Sequence, residues 1–417
     1  MKRPVIRSLS ATAVATLALF IAATTASAEF FPLNPGCSQA PVPPGGTCQP
    51  GGITTGPDGN IWFTQENGNR ISRVNPGGLI TDFPAPAGGQ PVEIAAAGGR
   101  LWFTQLGRNK IGAIDPAGTV TEYPSGSSLD APADGITLGP DGALWFTEFS
   151  SGGTSRIGRM TTDGNLTNQF SLTSGSGPGD ITPGPPGDNR LWFTQSNGRI
   201  GAIPISASSG SDVSYFPPSG GLNDPAGITA SGTGLWFTEP GANQIRRIET
   251  NGTIGPPTAV GSGPSAIATG ADGALWFTEE GAGKIGRITP SGVLTNEFPT
   301  SSPGSQPGGI TAGPDRALWF TEFIGNNIGR IATATPGGGG GGSLPPPATP
   351  PPAAKKKSKK CKVPKLRRLT KKKAIRKLKK AGCKYRFRGK GKVRSTKPKA
   401  GRSTTGRVTV RLARARR

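Results

Sequence analysis

The chain of 417 residues contains no histidine. This excludes Ser-His-Asp and Cys-His nucleophile arrangements and imidazole metal ligands. It also removes the side chain whose ordinary pKa lies nearest neutrality. An acid–base enzyme built on this chain would need a Glu or Lys tuned by its surroundings, and the sequence marks none. Cysteine is scarce, with four residues and no CxxC spacing, which argues against a zinc site. No apolar run reaches the ~20 residues that a membrane-spanning helix needs. Acid is missing from one region altogether. Residues 336–417 hold 30 Lys/Arg and no Asp or Glu, whereas residues 29–335 hold 15 Lys/Arg and 24 Asp/Glu. The net charge of +24 therefore describes a mildly acidic body with a strongly basic tail, an asymmetry that points to a separate partner for the tail.

What is present begins with an export signal. Lys2, Arg3 and Arg7 precede a short apolar run from about Ala11 to Ala23, followed by Ala26-Ser27-Ala28. Basic, apolar and small-residue stretches in that order predict a signal peptide over residues 1–28. An exported chain favours disulfides. Four cysteines allow three connectivities. The local one, Cys37–Cys48 and Cys361–Cys383, is expected because the two pairs lie in different regions.

One phrase organises the body: a branched aliphatic, Trp-Phe-Thr, then Glu or Gln. It occurs seven times, from Ile61–Gln65 to Leu318–Glu322, and each of the seven Trp sits in a copy. The copies are 40 to 47 residues apart, the period of a four-stranded propeller blade. Around residues 264–298 the beats are clear. Pro264–Ala268, Leu275–Glu279, Lys284–Ile288 and Val293–Phe298 read as strands, separated by Gly, Pro and Asp turns. Seven such sheets in a ring cover one another's faces and leave only short edges. The fold class expected is all-β, a seven-bladed β-propeller over residues 29–335.

The seventh repeat lacks its fourth strand. Elsewhere that strand ends in aromatic-Pro, as in Phe83-Pro84, Tyr123-Pro124, Phe216-Pro217 and Phe298-Pro299, and the N-terminal segment Glu29-Phe30-Phe31-Pro32 carries the same ending. That segment is predicted to close the ring as the outer strand of blade 7. Residues 336–360, with six Gly, a Pro-rich run and then Lys, form a linker. Residues 361–417 form a small basic α+β module. Thr370 can cap a helix over 371–381, and Val408–Leu412 alternates as a strand.

Candidate chemistry within the repeats is sparse. Seven near-identical Trp-Phe-Thr copies suit inter-blade packing better than ligand stacking. Glu148, Glu239, Glu279 and Glu322, which end second strands, could form a carboxylate ring. Arg159, Arg247, Arg287 and Arg330 occur in the same blades, and a hairpin centred on Gly283 would set each Glu opposite its Arg as a structural pair. The basic tail suits an anionic envelope polymer. Nucleic acid is the less expected counter-charge, because the chain carries an export signal.

Leu-Trp-Phe-Thr-Glu, Ile-Gly-Arg-Ile and Pro-x-Gly-Ile-Thr closely resemble the virginiamycin B lyase family of seven-bladed propellers, over about residues 29–335. That resemblance implies opening of cyclic streptogramin B antibiotics by elimination across an ester bond, with Mg²⁺. It also implies two essential His in Pro-His motifs opening blades 6 and 7, a Glu just before the second motif, and a Glu ending the blade 7 Trp-Phe strand. Residue by residue, these positions fall on Ser265, Gly308, Gln306 and Phe323, with Glu322 the nearest carboxylate. The tail resembles a PASTA domain through Val363-Pro364-Lys365-Leu366, Ala374, Leu378, Ala381-Gly382, Lys397–Gly401 and Val408-Thr409-Val410, which implies peptidoglycan binding. The expectation is a secreted, monomeric, non-catalytic ligand-binding propeller held at the cell envelope by its tail, with no resident cofactor. The alternative is a lyase of the family's kind, using Mg²⁺.

Overall fold

The computed structural model describes residues 27–33, 48–124, 132–149, 154–173, 177–217 and 220–333. In the C-terminal part it describes the short segments 361–362, 385–388, 393–397, 403–404 and 408–412 with residues 374 and 377. The expected signal peptide (apart from its last two residues), the 336–360 linker and most of the 371–381 helix lie outside the described residues.

The body is seven four-stranded antiparallel sheets. Blade 1 consists of Pro50–Thr55, Ile61–Gln65, Arg70–Val74 and Ile80–Pro84, in sequence order from the centre outward. Blades 2 to 6 repeat this order, and first strands of successive blades touch all round, blade 7 against blade 1. Ring closure follows the sequence expectation. Ala28–Pro32 pairs antiparallel with Asn327–Ala332, from Ala28 opposite Ile331 to Pro32 opposite Asn327. Phe31 stacks on Trp319 at 5.5 Å between ring centroids, where Phe83 stacks on Trp62 at 5.3 Å in blade 1.

The recurrent phrase is a set of seams. Its Trp and Phe are buried in every blade, on opposite faces of the second strand. In four of the seven blades its Thr hydroxyl donates across the blade boundary to a carbonyl at the next first strand. Thr64 reaches Val92 at 2.6 Å, Thr238 reaches Ser265 at 2.6 Å, and Thr321 reaches Gly51 at 2.9 Å to complete the circle. The Gly of Ile-Gly-Arg is a matter of space. A Cβ on Gly286 would lie 2.1 Å from the Phe277 ring, so the close approach of strand and ring requires its absence.

The structure corrects the four expected charge pairs. The loop between second and third strands holds four residues, so Glu279 faces Lys284 and Arg287 faces Trp276. Likewise Arg159 faces Trp145, Arg247 faces Trp236 and Arg330 faces Trp319, while Glu148, Glu239 and Glu322 face Arg156, Gln244 and Asn327. Three of these arginines turn to an Asp four residues before the Trp. Arg287 Nε lies 2.9 Å from Asp272, Arg330 Nε 2.8 Å from Asp315 and Arg159 Nε 2.8 Å from Asp141. The same Asp accepts the indole N–H, at 3.1 Å in each of these blades. Burial pushes the Asp315 carboxyl up, but the bonds from Arg330 and Trp319 outweigh it and hold the group below the usual carboxylate range. Each guanidinium also lies over its Trp ring, 5.7 Å from the centroid for Arg287.

Cys48 is disulfide-bonded, and its expected partner Cys37 lies outside the described residues, as does Cys383. The C-terminal unit contains a three-stranded sheet with Val408–Leu412 in the centre, parallel to Tyr385–Arg388 and antiparallel to Val393–Lys397. Ala374 is helical and buried. No helix among the described residues is long and apolar enough to cross a membrane.

Candidate functional site at the channel mouth

The first strands of six blades share an irregularity. Register shifts between Pro50 and Ile53, Pro91 and Ile94, Pro132 and Ile136, Pro178 and Ile181, Pro264 and Ile267, and Pro307 and Ile310. Residues between these points fall out of the ladder. Such bulges re-aim side chains and recur beside binding sites. Here they border a central cavity of about 720 Å³ to which the first strand of every blade contributes.

The lining is chemically mixed. Its charged members among the described residues are Glu93, Asp180 and Asp224, with no Lys or Arg. Asp180 also ties blades together, since its carboxylate accepts the N–H of Ile228 at 2.8 Å and that of Ile181 at 2.8 Å. Phe149, just beyond the second strand of blade 3, lines the cavity and is 42% exposed. Leu106 and Ile324, in the corresponding loops of blades 2 and 7, are also exposed. The mouth is thus an acidic, uncharged-polar pit with apolar groups at its edge.

Of the positions carried over from the family resemblance, Ser265 lines this cavity, and Gly308 adjoins the lining residue Gly309. Ser265 is half-buried, lines the cavity, and sits in the blade 6 bulge. Gly308 sits in the blade 7 bulge, and a Cβ there would meet just the Thr321 hydroxyl, at 3.3 Å. Gln306 has a left-handed backbone, φ 50°, and its carbonyl accepts the Phe323 N–H at 2.9 Å. Phe323 is half-buried. Glu322 is fully buried and already engaged. It accepts the Ser301 N–H at 2.8 Å, the Ser301 hydroxyl, and Asn327 Nδ2 at 2.9 Å. That carboxylate fastens the incoming loop of blade 7.

Glu279 behaves differently from the other strand-end acids. Burial, reinforced by the neighbouring Glu297, pushes its carboxyl up to about 7. One oxygen accepts the Gly261 N–H at 2.8 Å, and the other has no hydrogen-bond partner. The side chain is fully buried and is absent from the channel lining.

These residues do not make a Mg²⁺ site of the kind the resemblance implies. Ser265 offers one hydroxyl, Gly308 and Phe323 offer no side-chain donor, and Glu322 is bonded to Ser301 and Asn327. Among the described residues no three His, Cys, Asp or Glu side chains gather as a metal cage.

Two features escaped the sequence reading. One is the Asp that serves Trp and Arg together, whose signal was its recurrence four residues before Trp in five repeats. The other is the acidic lining from Glu93 and Asp180, both in the variable pair after the blade-opening Pro.

Fold and site together define a seven-bladed propeller with bulged inner strands bordering one central cavity. The virginiamycin B lyase family model matches residues 35–203 and 134–336, and the chain belongs to that family. A PASTA domain matches residues 362–413. The virginiamycin B lyase of Nocardia farcinica is 30% identical over 205 residues, covering 49% of this chain and 68% of that protein. A solved streptogramin B lyase structure superposes with a TM-score of 0.63 at 35% identity, covering 73% of this chain and 97% of that one. A catalytically inactive His-to-Ala variant of the Staphylococcus aureus enzyme, solved with quinupristin, superposes with a TM-score of 0.62 at 34% identity, covering 74% of this chain and 100% of that one.

Proposed function

We propose that this protein is a secreted, non-catalytic binding propeller held at the cell envelope by its basic PASTA domain. The observation that carries the reading is the content of the blade 6 and blade 7 bulges. Ser265 and Gly308 stand where the resemblance implies His, in a chain without any histidine. The cavity remains, and so does its apolar rim, so the capacity to hold a ligand outlasts the proton-transfer groups. With Glu93, Asp180 and Asp224 in the lining and no Lys or Arg among the described lining residues, the pit suits a neutral or cationic ligand.

Glu279 is the observation that would favour a surviving elimination reaction through a relocated carboxyl. A group held near neutrality is matched to general-base work. Its complete burial, away from the channel lining, argues against contact with any substrate.

The tail suits an anionic wall polymer. Sedimentation with purified cell-wall sacculi tests this, comparing the full chain with one ending at residue 335. Binding should require the tail and weaken steeply with added salt. Equal sedimentation of both forms would refute the tethering. Calorimetric titration with quinupristin tests the propeller. Heat of binding without ring-opened product supports a binding role, and turnover refutes it.

A further inference from the structure

A second site is marked by what blade 5 lacks. In six blades an aromatic ring covers the second-strand Trp, with centroids 5.1 to 5.7 Å apart. Five of these rings belong to a fourth strand of the same blade, and Phe31 of the closing strand is the sixth. In blade 5 the fourth strand shrinks to Thr258–Ala259. Thr258 pairs with Ile245 there, as Phe298 pairs with Ile285 in blade 6, so a threonine stands in the aromatic's place.

Trp236 is short of two further partners. The guanidinium that covers the Trp in blades 1, 3, 6 and 7 has its counterpart in Arg247. That side chain is drawn instead to Glu249 at 2.6 Å and Thr233 at 3.1 Å. The indole N–H, which finds an Asp carboxylate in five blades and the Ala97 carbonyl in blade 2, has no acceptor among the described residues. Gly232 occupies the Asp position. Beside this ring lies a cavity of about 330 Å³, bordered by Trp236, Arg247, Glu249, Pro256, Thr258 and Gly292. Cavities that take small ligands start at about this size. It opens where third strands turn into fourth strands, at the opposite end of the blades from Phe149 and Ser196.

We propose that this cavity is a binding site for a planar aromatic ring bearing a hydrogen-bond acceptor, a tyrosine-like aryl group in chemical class. The ring would lie in the cavity at the edge of Trp236, which is 4% exposed and whose indole borders Gly292. Its acceptor would satisfy the Trp236 N–H, and Arg247 and Glu249 would meet a polar substituent. The site is separate from the channel and does not depend on whether the channel binds or turns over its ligand.

The test uses the full chain labelled with ¹⁵N and titrated with p-cresol, following the seven indole N–H resonances. The Trp236 resonance is assigned from Trp236→Phe. It should shift alone, with a dissociation constant of about 1 mM, the range open to a ring of this size. Thr258→Phe, which places the missing ring on the protein itself, should raise the melting temperature and abolish the shift. A parallel titration with N-acetyltyrosinamide distinguishes a peptide-borne ring from a free phenol. If p-cresol leaves the Trp236 resonance unmoved in the unsubstituted chain, or shifts it equally in a folded Thr258→Phe variant, the proposal is wrong.

Discussion

The second strand of each blade and the first strand beside it are opposite in how far their residues vary from blade to blade. Second strands are nearly interchangeable. Each buries a Trp on one face and a Phe on the other, and most of their Thr hydroxyls are spent on the next blade. First strands keep Pro and Ile in register and vary between them, with Gly51, Val92, Gly179, Ala226, Ser265 and Gly308 at one matched position. Seam and site are thus physically separable. The seam must be uniform because it packs against its own copies. The bulged pair is mostly half-buried and gives the seam its backbone carbonyls, so its side chains can vary without loosening the ring.

The largest test of that separation is the closing strand. Deleting residues 28–33 removes five paired positions and the Phe31–Trp319 stack. It should lower the melting temperature by about 10 °C or more, and scanning calorimetry reads it directly. Next comes Gly286→Ala, whose Cβ would press into the Phe277 ring. Overpacking of this kind should cost about 3 kcal/mol in a denaturant titration. Asp315→Ala leaves the Trp319 N–H and Arg330 without their acceptor and should cost about 1–3 kcal/mol by the same measurement.

Glu279 sharpens the comparison through pH. Its folded pKa of about 7 lies above the ordinary 4.5, so the folded state holds this proton more tightly than the unfolded state. The resulting stability is fully present below about pH 4.5 and is lost as pH rises through about 7. Glu279→Gln keeps an acceptor for Gly261 and gives Glu297 an amide donor, as Gln65 gives Asp82 in blade 1. The variant should melt a few degrees above the unsubstituted protein at about pH 8, and the difference should close toward about pH 4.5. The smallest effect belongs to the site itself. Ser265→His, at a half-buried bulge position, should change stability by about 0.5 kcal/mol or less.

Much of the fold was legible because repetition turns one chain into seven samples of the same environment. Blade count, strand positions and the closing role of Glu29–Pro32 all followed from comparing copies. The charge pairs did not, because co-occurrence of Glu and Arg fixes no register. Arg287 accompanies Glu279 in sequence but answers to Trp276 and Asp272; the expected strands 275–279 and 284–288 already left a four-residue loop, and centring the hairpin on Gly283 put the pairing three residues off. Blade 4, which has Ala at the Arg position, shows the rule. Trp192 faces Ala202 and takes its cation from Arg190, 4.6 Å from its ring. The site was legible only as a pattern of substitutions. Ser265 and Gly308 announce what is missing, while the acidic lining from Asp180 and Glu93 required the bulge to be seen.

The most direct measurement is mass spectrometry of a streptogramin B antibiotic incubated with the purified full-length protein and Mg²⁺. Intact cyclic compound, indistinguishable from a protein-free control, is the predicted result. Accumulation of the ring-opened linear product in proportion to protein concentration would contradict a propeller that binds without cleaving.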